Sequence, residues 1–187
     1  MNRFALLAAF GLFLAAAPAS AQLAVYGGGG PAFPIGDDLD GIESGLQLTG
    51  GLTFDLSERV SLYGEGQWGT HGVEDTDEVT VKPSALMAGL LLGLSGSEDA
   101  AIQPYVFGGL GLQSVNLDAD VDVADASDRT FGYQAGAGFG FDLGSLPAFL
   151  EGRYQAASFD VDSDIGELDF SIFSVILGFS FDLGGDN

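Results

Sequence analysis

Cysteine is absent from the 187-residue chain, which removes disulfide bonds, thiolate nucleophiles and thiolate zinc ligands together. Positive charge is nearly as scarce, with 5 Lys and Arg against 27 Asp and Glu and a formal net charge of −22. So acidic a chain repels nucleic-acid phosphates and excludes a nucleic-acid partner. Histidine occurs once, at His71, so acid–base chemistry would rest on one imidazole or on tuned carboxylates. Long apolar runs are missing as well. Past the N-terminal region the longest is Ala85 to Leu94, about half of the roughly 20 residues that a membrane-spanning helix needs. No pattern calls for a cofactor.

The N-terminal region reads as an export signal. Asn2-Arg3 gives a positive start, Phe4 to Ala17 is apolar apart from Gly11, and Ala19-Ser20-Ala21 has the small-x-small pattern that a signal peptidase accepts before Gln22. The apolar stretch is too short to span a bilayer. The expectation is a cleaved signal peptide over 1–21 and one domain over 22–187. What that domain has in abundance is glycine. The chain carries 30, more than twice the usual share of about 7%, which argues against a helical bundle.

Period-two alternation, which sends successive side chains to opposite faces of a strand, runs through the remainder. Between Leu46 and Leu56 the even positions are apolar or glycine and the odd ones mostly polar. From Phe131 to Leu143 the large side chains Phe131, Tyr133, Phe139, Phe141 and Leu143 share one face, while Gly132, Gln134, Gly136, Gly138 and Gly140 take the other. Eight such segments are predicted, over 22–33, 44–56, 60–71, 83–95, 102–117, 130–143, 148–159 and 169–183. Between Leu110-x-Leu112 and Val115-x-Leu117 the apolar face changes parity, which predicts a bulge or a misassigned strand. The connectors 57–59, 96–101 and 144–147 are short, whereas 34–43, 72–82, 118–129 and 160–168 are long and acidic. Most of the 27 acids fall in those four, among them Asp37, Asp38, Glu74, Asp75, Asp125 and Glu167. Hydrocarbon cannot hold carboxylates cheaply, so this division predicts an all-β, eight-stranded antiparallel up-and-down transmembrane barrel, with short turns at one end and long loops at the other.

Two segments repeat a pattern: Tyr63-Gly-Glu65-Gly-Gln67-Trp68 and Phe149-Leu-Glu151-Gly-Arg153-Tyr154. If Trp68 and Tyr154 face lipid, then Glu65, Gln67, Glu151 and Arg153 face the lumen. A charge in a narrow lumen is costly unless paired, and Arg153 is the natural partner of Glu65 and Glu151. An ion-pair cluster closing the lumen is the expectation; solvated polar faces of a soluble sheet are the bland alternative.

With its Gly-rich first strand Val25 to Phe33, the run Glu151-Gly-Arg153-Tyr154, the stretch Pro104 to Gly111 and the ending Gly178-Phe-Ser-Phe181-Asp-Leu183, the chain resembles the small outer-membrane β-barrel family. That group comprises the OmpA-like and OmpX-like domains and the outer membrane protein beta-barrel domain. The resemblance implies residence in the outer-membrane lipid bilayer as a monomer. It also implies recognition by the assembly machinery through Gly178, Phe181 and Leu183, although apolar Ile176 and the tail Gly184-Gly-Asp-Asn187 depart from the pattern. Tyr26, Phe33, Tyr63, Trp68, Tyr105, Phe131, Tyr133, Tyr154, Phe170 and Phe181 lie mostly near proposed strand ends and are expected in the aromatic girdles.

Function is less legible. Small barrels resembling lipid-modifying hydrolases use a His with a nearby Ser; here His71 would need Ser84 or Ser114, and an exposed histidine at a strand end is the plainer expectation. Asp118, Asp120, Asp122, Asp160, Asp162 and Asp164 look superficially like calcium ligands, but an EF-hand needs Gly sixth and Glu twelfth. Counted from Asp160, those places hold Ile165 and Ser171. The primary reading is a non-enzymatic barrel with a structural, surface-interaction or narrow cation-preferring pore role. Its rivals are the hydrolase and a soluble exported lipocalin-like barrel. Calorimetric titration with Ca²⁺, at a salt level that screens diffuse attraction, is expected to give no saturable uptake; a stoichiometric isotherm would make those aspartates a metal site.

Overall fold

The computed structural model describes residues 22–36, 39–74, 76–95, 100–119, 129–161 and 166–183. Eight strands follow one another: β1 (Leu23–Pro34), β2 (Gly45–Ser57), β3 (Val60–Val73), β4 (Thr76–Gly93), β5 (Ile102–Ala119), β6 (Arg129–Leu143), β7 (Leu146–Val161) and β8 (Gly166–Asp182). Each pairs antiparallel with the next, and β1 returns to pair with β8 from Ala24↔Asp182 to Pro34↔Ile172. Closure leaves no open sheet edge, which is the condition for a sheet to sit in hydrocarbon, where an unpaired backbone group costs several kcal/mol.

Alternation then sorts the side chains. Leu46 and Leu48 of β2, Trp68 of β3, Leu86 and Leu90 of β4, Leu110 of β5, Phe131 of β6 and Leu177 of β8 all project outward and are exposed, Phe131 at 79%. An exposed apolar surface this extensive is a lipid-facing band. A lipocalin-like soluble barrel would need these side chains turned inward around a ligand, so that alternative is wrong. Several expected girdle aromatics also face the other way: Tyr63 and Phe170 are buried inside the barrel, and Tyr26 and Tyr105 hydrogen-bond to lumenal carboxylates.

The strands outrun their expected bounds. β3 ends at Val73 and β4 begins at Thr76, so most of 72–82, expected as a long loop, forms the arms of a hairpin. Likewise β5 reaches Ala119, β7 reaches Val161 and β8 starts at Gly166. A strand needs about 9–11 residues to cross a bilayer, while β4 and β5 have 18 each. Backbone pairing continues to be favourable beyond the hydrocarbon, so positions read as loop, such as Asp77, Asp118 and Asp160, belong to strand extensions instead. At the opposite end the connections are tight; β6 and β7 are joined through Gly144 and Ser145, with Gly144 at φ +69°, a left-handed turn conformation that glycine adopts without steric cost.

No bulge interrupts β5, whose registers with β4 and β6 run unbroken. Shifts occur instead between Asp55 and Ser57 and between Gly72 and Val73. The parity change near Val115 has another origin: the lumen itself turns apolar there. Val115 packs against a buried cluster of Ala32, Leu39, Ala157, Phe159, Phe170 and Ile172, so an inward apolar residue is in place on an unbroken strand.

Glycines on the lumenal face give the interior its room. A Cβ at Gly136 would collide with the Phe107 ring and the Gly152 carbonyl, and one at Gly178 with the Phe149 ring. Gly136→Val is expected to destabilise the barrel by about 1–3 kcal/mol through overpacking, whereas Gly64→Val, at an exposed position with nothing within 4 Å of its Cβ, should stay within about 0.5 kcal/mol of the parent. Reversible urea unfolding in lipid vesicles measures both.

Candidate functional site: the lumen

Closure sets β3 and β7 across the lumen from each other, and the two repeated segments meet there. Period-two geometry puts Glu65 and Gln67 on the inner face of β3 and Glu151 and Arg153 on that of β7; all four are buried, Arg153 at 2% exposure. Arg153 Nη1 donates to Glu65 Oε1 at 3.0 Å and Nη2 to Glu65 Oε2 at 3.4 Å. On its own strand Arg153 donates to Glu151 Oε1 through Nε at 3.1 Å and through Nη2. One guanidinium thus bridges two carboxylates, and its Cζ lies 5.4 Å from the centroid of the Phe107 ring.

Neutral donors complete the carboxylates. Glu65 accepts from Tyr26 Oη at 2.9 Å, Thr49 Oγ1 at 2.7 Å, Gln67 Nε2 at 2.8 Å and Gln134 Nε2 at 2.5 Å. Glu151 Oε2 accepts from Tyr105 Oη at 2.9 Å. Gln134 Nε2 also donates to Tyr63 Oη at 2.8 Å, and Gln67 Nε2 to Gln134 Oε1 at 2.6 Å. Gln47 Nε2 extends the layer to Gln67 Oε1 and Gln155 Oε1, at 3.1 and 3.4 Å. Sequence reasoning missed Tyr26, Thr49, Tyr105 and Gln134 as members. Thr49 and Gln134 stand on the polar or glycine face of their strands, a signal that was available, but their partners depend on the barrel register.

The lumen is layered along its axis. Toward the long-connector end the glutamines give way to the apolar cluster around Phe159 and Phe170. Toward the short-turn end lies a vestibule of about 270 Å³, with Tyr26, Tyr63, Tyr105, Glu65, Glu151 and Arg153 in its walls and floor.

His71 is buried at 1% exposure, not exposed at a strand end as the sequence suggested. It faces inward because its register partner is buried Val81; its Nδ1 lies 3.1 Å from the Glu43 carbonyl oxygen, and its Nε2 has no hydrogen-bond partner among the described residues. Ser84 and Ser114 sit opposite each other on the outer face, Oγ to Oγ at 2.9 Å. Their parity is that of exposed Trp68, the partner of Ser84 in β3. The barrel wall therefore separates both serines from His71. Of the six aspartates weighed as metal ligands, Asp118 and Asp160 fall in β5 and β7, which β6 keeps apart; Asp120, Asp122, Asp162 and Asp164 lie outside the described residues, as does the 1–21 segment read as a signal. In β8, Gly178 faces the lumen beneath Phe149 and Phe181 is exposed, as is Leu183 just past the strand's end.

The sequence pattern of the family described as outer membrane protein beta-barrel domain matches residues 4–181. The chain belongs to that family. Its members' compartment, the outer membrane, accounts for the apolar band, and the lipid bilayer is what the band touches. Among solved structures, neisserial surface protein A superposes with a TM-score of 0.58 at 10% identity, over 86% of this chain and 95% of its own. The N-terminal barrel domain of Pseudomonas aeruginosa OprF gives 0.49 at 17% identity, over 87% and 100%. OprG from the same organism gives 0.47 at 19%, over 84% and 95%. At 10% identity the likeness to neisserial surface protein A is one of fold. No curated protein matches the chain in sequence.

Removing one partner of a buried ion pair strands the other, at about 3–5 kcal/mol. Arg153→Ala should therefore destabilise this outer-membrane barrel by that amount in urea titrations, and adding Glu65→Gln and Glu151→Gln should recover most of the loss; equal stability of Arg153→Ala and the parent would show that the cluster bears no load.

Proposed function

We propose that the protein is a closed outer-membrane barrel, exported by a cleaved signal over 1–21 and inserted as a monomer, that works as a structural and surface-presenting element and does not conduct in its resting state. The observation that carries this reading is two unlike seals in series within one lumen. The first is the Glu65–Arg153–Glu151 cluster with its glutamine layer, tied by hydrogen bonds across the barrel. The second is the apolar cluster of Leu39, Phe159, Phe170 and Ile172, which gives a hydrated ion nothing to replace its water. An eight-stranded barrel is just wide enough for side chains to fill, and here they do so in two ways.

Surface presentation follows from the strand extensions. In outer-membrane barrels the longer connections face outward and the short turns face the periplasm, so the extended ends of β3 to β8 stand on the outer side in this reading. Gly178, Phe181 and Leu183 are proposed as the contact with the assembly machinery, on the last strand and just past its end, with both large side chains outward.

Refolded into planar bilayers, the parent chain is expected to insert and remain electrically silent. Because the seals act in series, Glu151→Gln with Arg153→Ala should stay silent too, and openings should require Phe159→Ser and Phe170→Ser in addition. Those openings should favour cations, since the mouth is acidic. Discrete openings from the parent chain would overturn the closed reading and leave a narrow cation-preferring pore.

A further inference from the structure

We propose that the vestibule at the short-turn end of the lumen binds a small organic cation of the quaternary or primary ammonium class. The cavity, about 270 Å³, is walled by the rings of Tyr26, Tyr63, Tyr105, Phe107 and Phe149. Its lining includes four acids, Asp55, Glu65, Glu151 and Asp182, against one base, Arg153, a formal balance of −3. Negative charge over aromatic faces is the setting in which an alkylammonium is attracted both by charge and by the ring quadrupoles. The structure contains an instance of that contact within the same walls, where the guanidinium of Arg153 lies over Phe107.

Other occupants fit less well. An anion meets the excess of carboxylates. A bare metal ion needs several oxygens free to converge on it, yet Glu65 already accepts from Arg153, Tyr26, Thr49, Gln67 and Gln134, and no three candidate ligands come together among the described residues. Asp55 accepts from Ser61 Oγ at 2.5 Å. An ammonium with alkyl substituents asks for less: a negative potential, ring faces and room for its carbon atoms, supplied here by Ala24, Leu91 and Phe149. The polar and apolar seals close the far side of the cavity, so the ligand enters and leaves by the short-turn end.

Gly140 gives the means to test this. It lines the vestibule, and a Cβ added there meets nothing closer than the Ala148 carbonyl oxygen at 3.8 Å. Gly140→Leu therefore places a side chain in the cavity from a position whose Cβ meets no atom of the Arg153 cluster. Isothermal titration of the folded full-length barrel in detergent micelles, with choline and with n-butylammonium as probes, reads the site directly and independently of any conductance. Saturable binding of at least one probe is expected, lost in Gly140→Leu and weakened roughly tenfold in Asp55→Asn/Asp182→Asn, a variant that leaves the cavity open if Gly140→Leu fails to fold. The neutral isostere of choline, 3,3-dimethylbutan-1-ol, should bind roughly tenfold or more weakly than choline. The proposal is overturned if neither probe saturates, if the neutral alcohol binds as well as choline, or if both variants bind like the parent.

Discussion

The ladder between β1 and β8 is the constraint on which the rest depends. Without it the sheet would carry two unpaired edges into hydrocarbon, where each unmet backbone group costs several kcal/mol. With it every spanning strand has a neighbour on both sides, the exterior needs only to be apolar, and the interior is left to satisfy itself. Closure also decides which strands face each other across the lumen. That is how Glu65 and Arg153, 88 positions apart in sequence, become hydrogen-bond partners.

Inside, a single tube of eight strands handles its filling in two chemically opposed ways. Around Arg153 the design is saturation: each carboxylate receives charged and neutral donors, so burial does not leave it exposed to a low-dielectric surrounding without compensation. Around Phe159 and Phe170, whose rings meet edge to face at 6.2 Å, the design is exclusion of anything polar. The aromatic side chains between these layers and the short-turn mouth fit only because glycine stands opposite them, as Gly136 does beneath Phe107 and Gly178 beneath Phe149. The glycine content that marks the sequence is thus largely a matter of volume, spent where large lumenal side chains lean on the wall.

Much of the fold was legible because alternation is a local property, written strand by strand in runs such as Phe131 to Leu143. The faces of Glu65, Gln67, Glu151 and Arg153 followed from the same rule once Trp68 and Tyr154 were given to lipid. Strand ends were not legible, since acidity reports contact with water and not the end of backbone pairing; hence 72–82 read as a loop where β3 and β4 continue as a hairpin. Nor could sequence separate girdle tyrosines from lumenal ones. Tyr133 and Tyr154 stand beside Gln134 and Arg153, which mark the lumenal parity, but Tyr26 lies between Val25 and Gly27 and Tyr105 between Pro104 and Val106, with no such marker, and their carboxylate partners lie on other strands. At Val115 the parity change is real, but its cause is a change in what the lumen contains and not a slip in the ladder.

The apolar cluster lies at one end of the lumen and the vestibule at the other, and that asymmetry gives the interior a direction. The vestibule brings open space up to Arg153 and its carboxylates from the short-turn side. Mobile ions screen exposed charges over about 8 Å at physiological ionic strength but reach buried pairs far less, so the cluster, with Arg153 at 2% exposure, keeps its strength at salt levels that weaken exposed pairs. The interior thus has one wet end and one dry end, with the ion-pair cluster set against a plug of Leu39, Phe159, Phe170 and Ile172 that acts as its insulator.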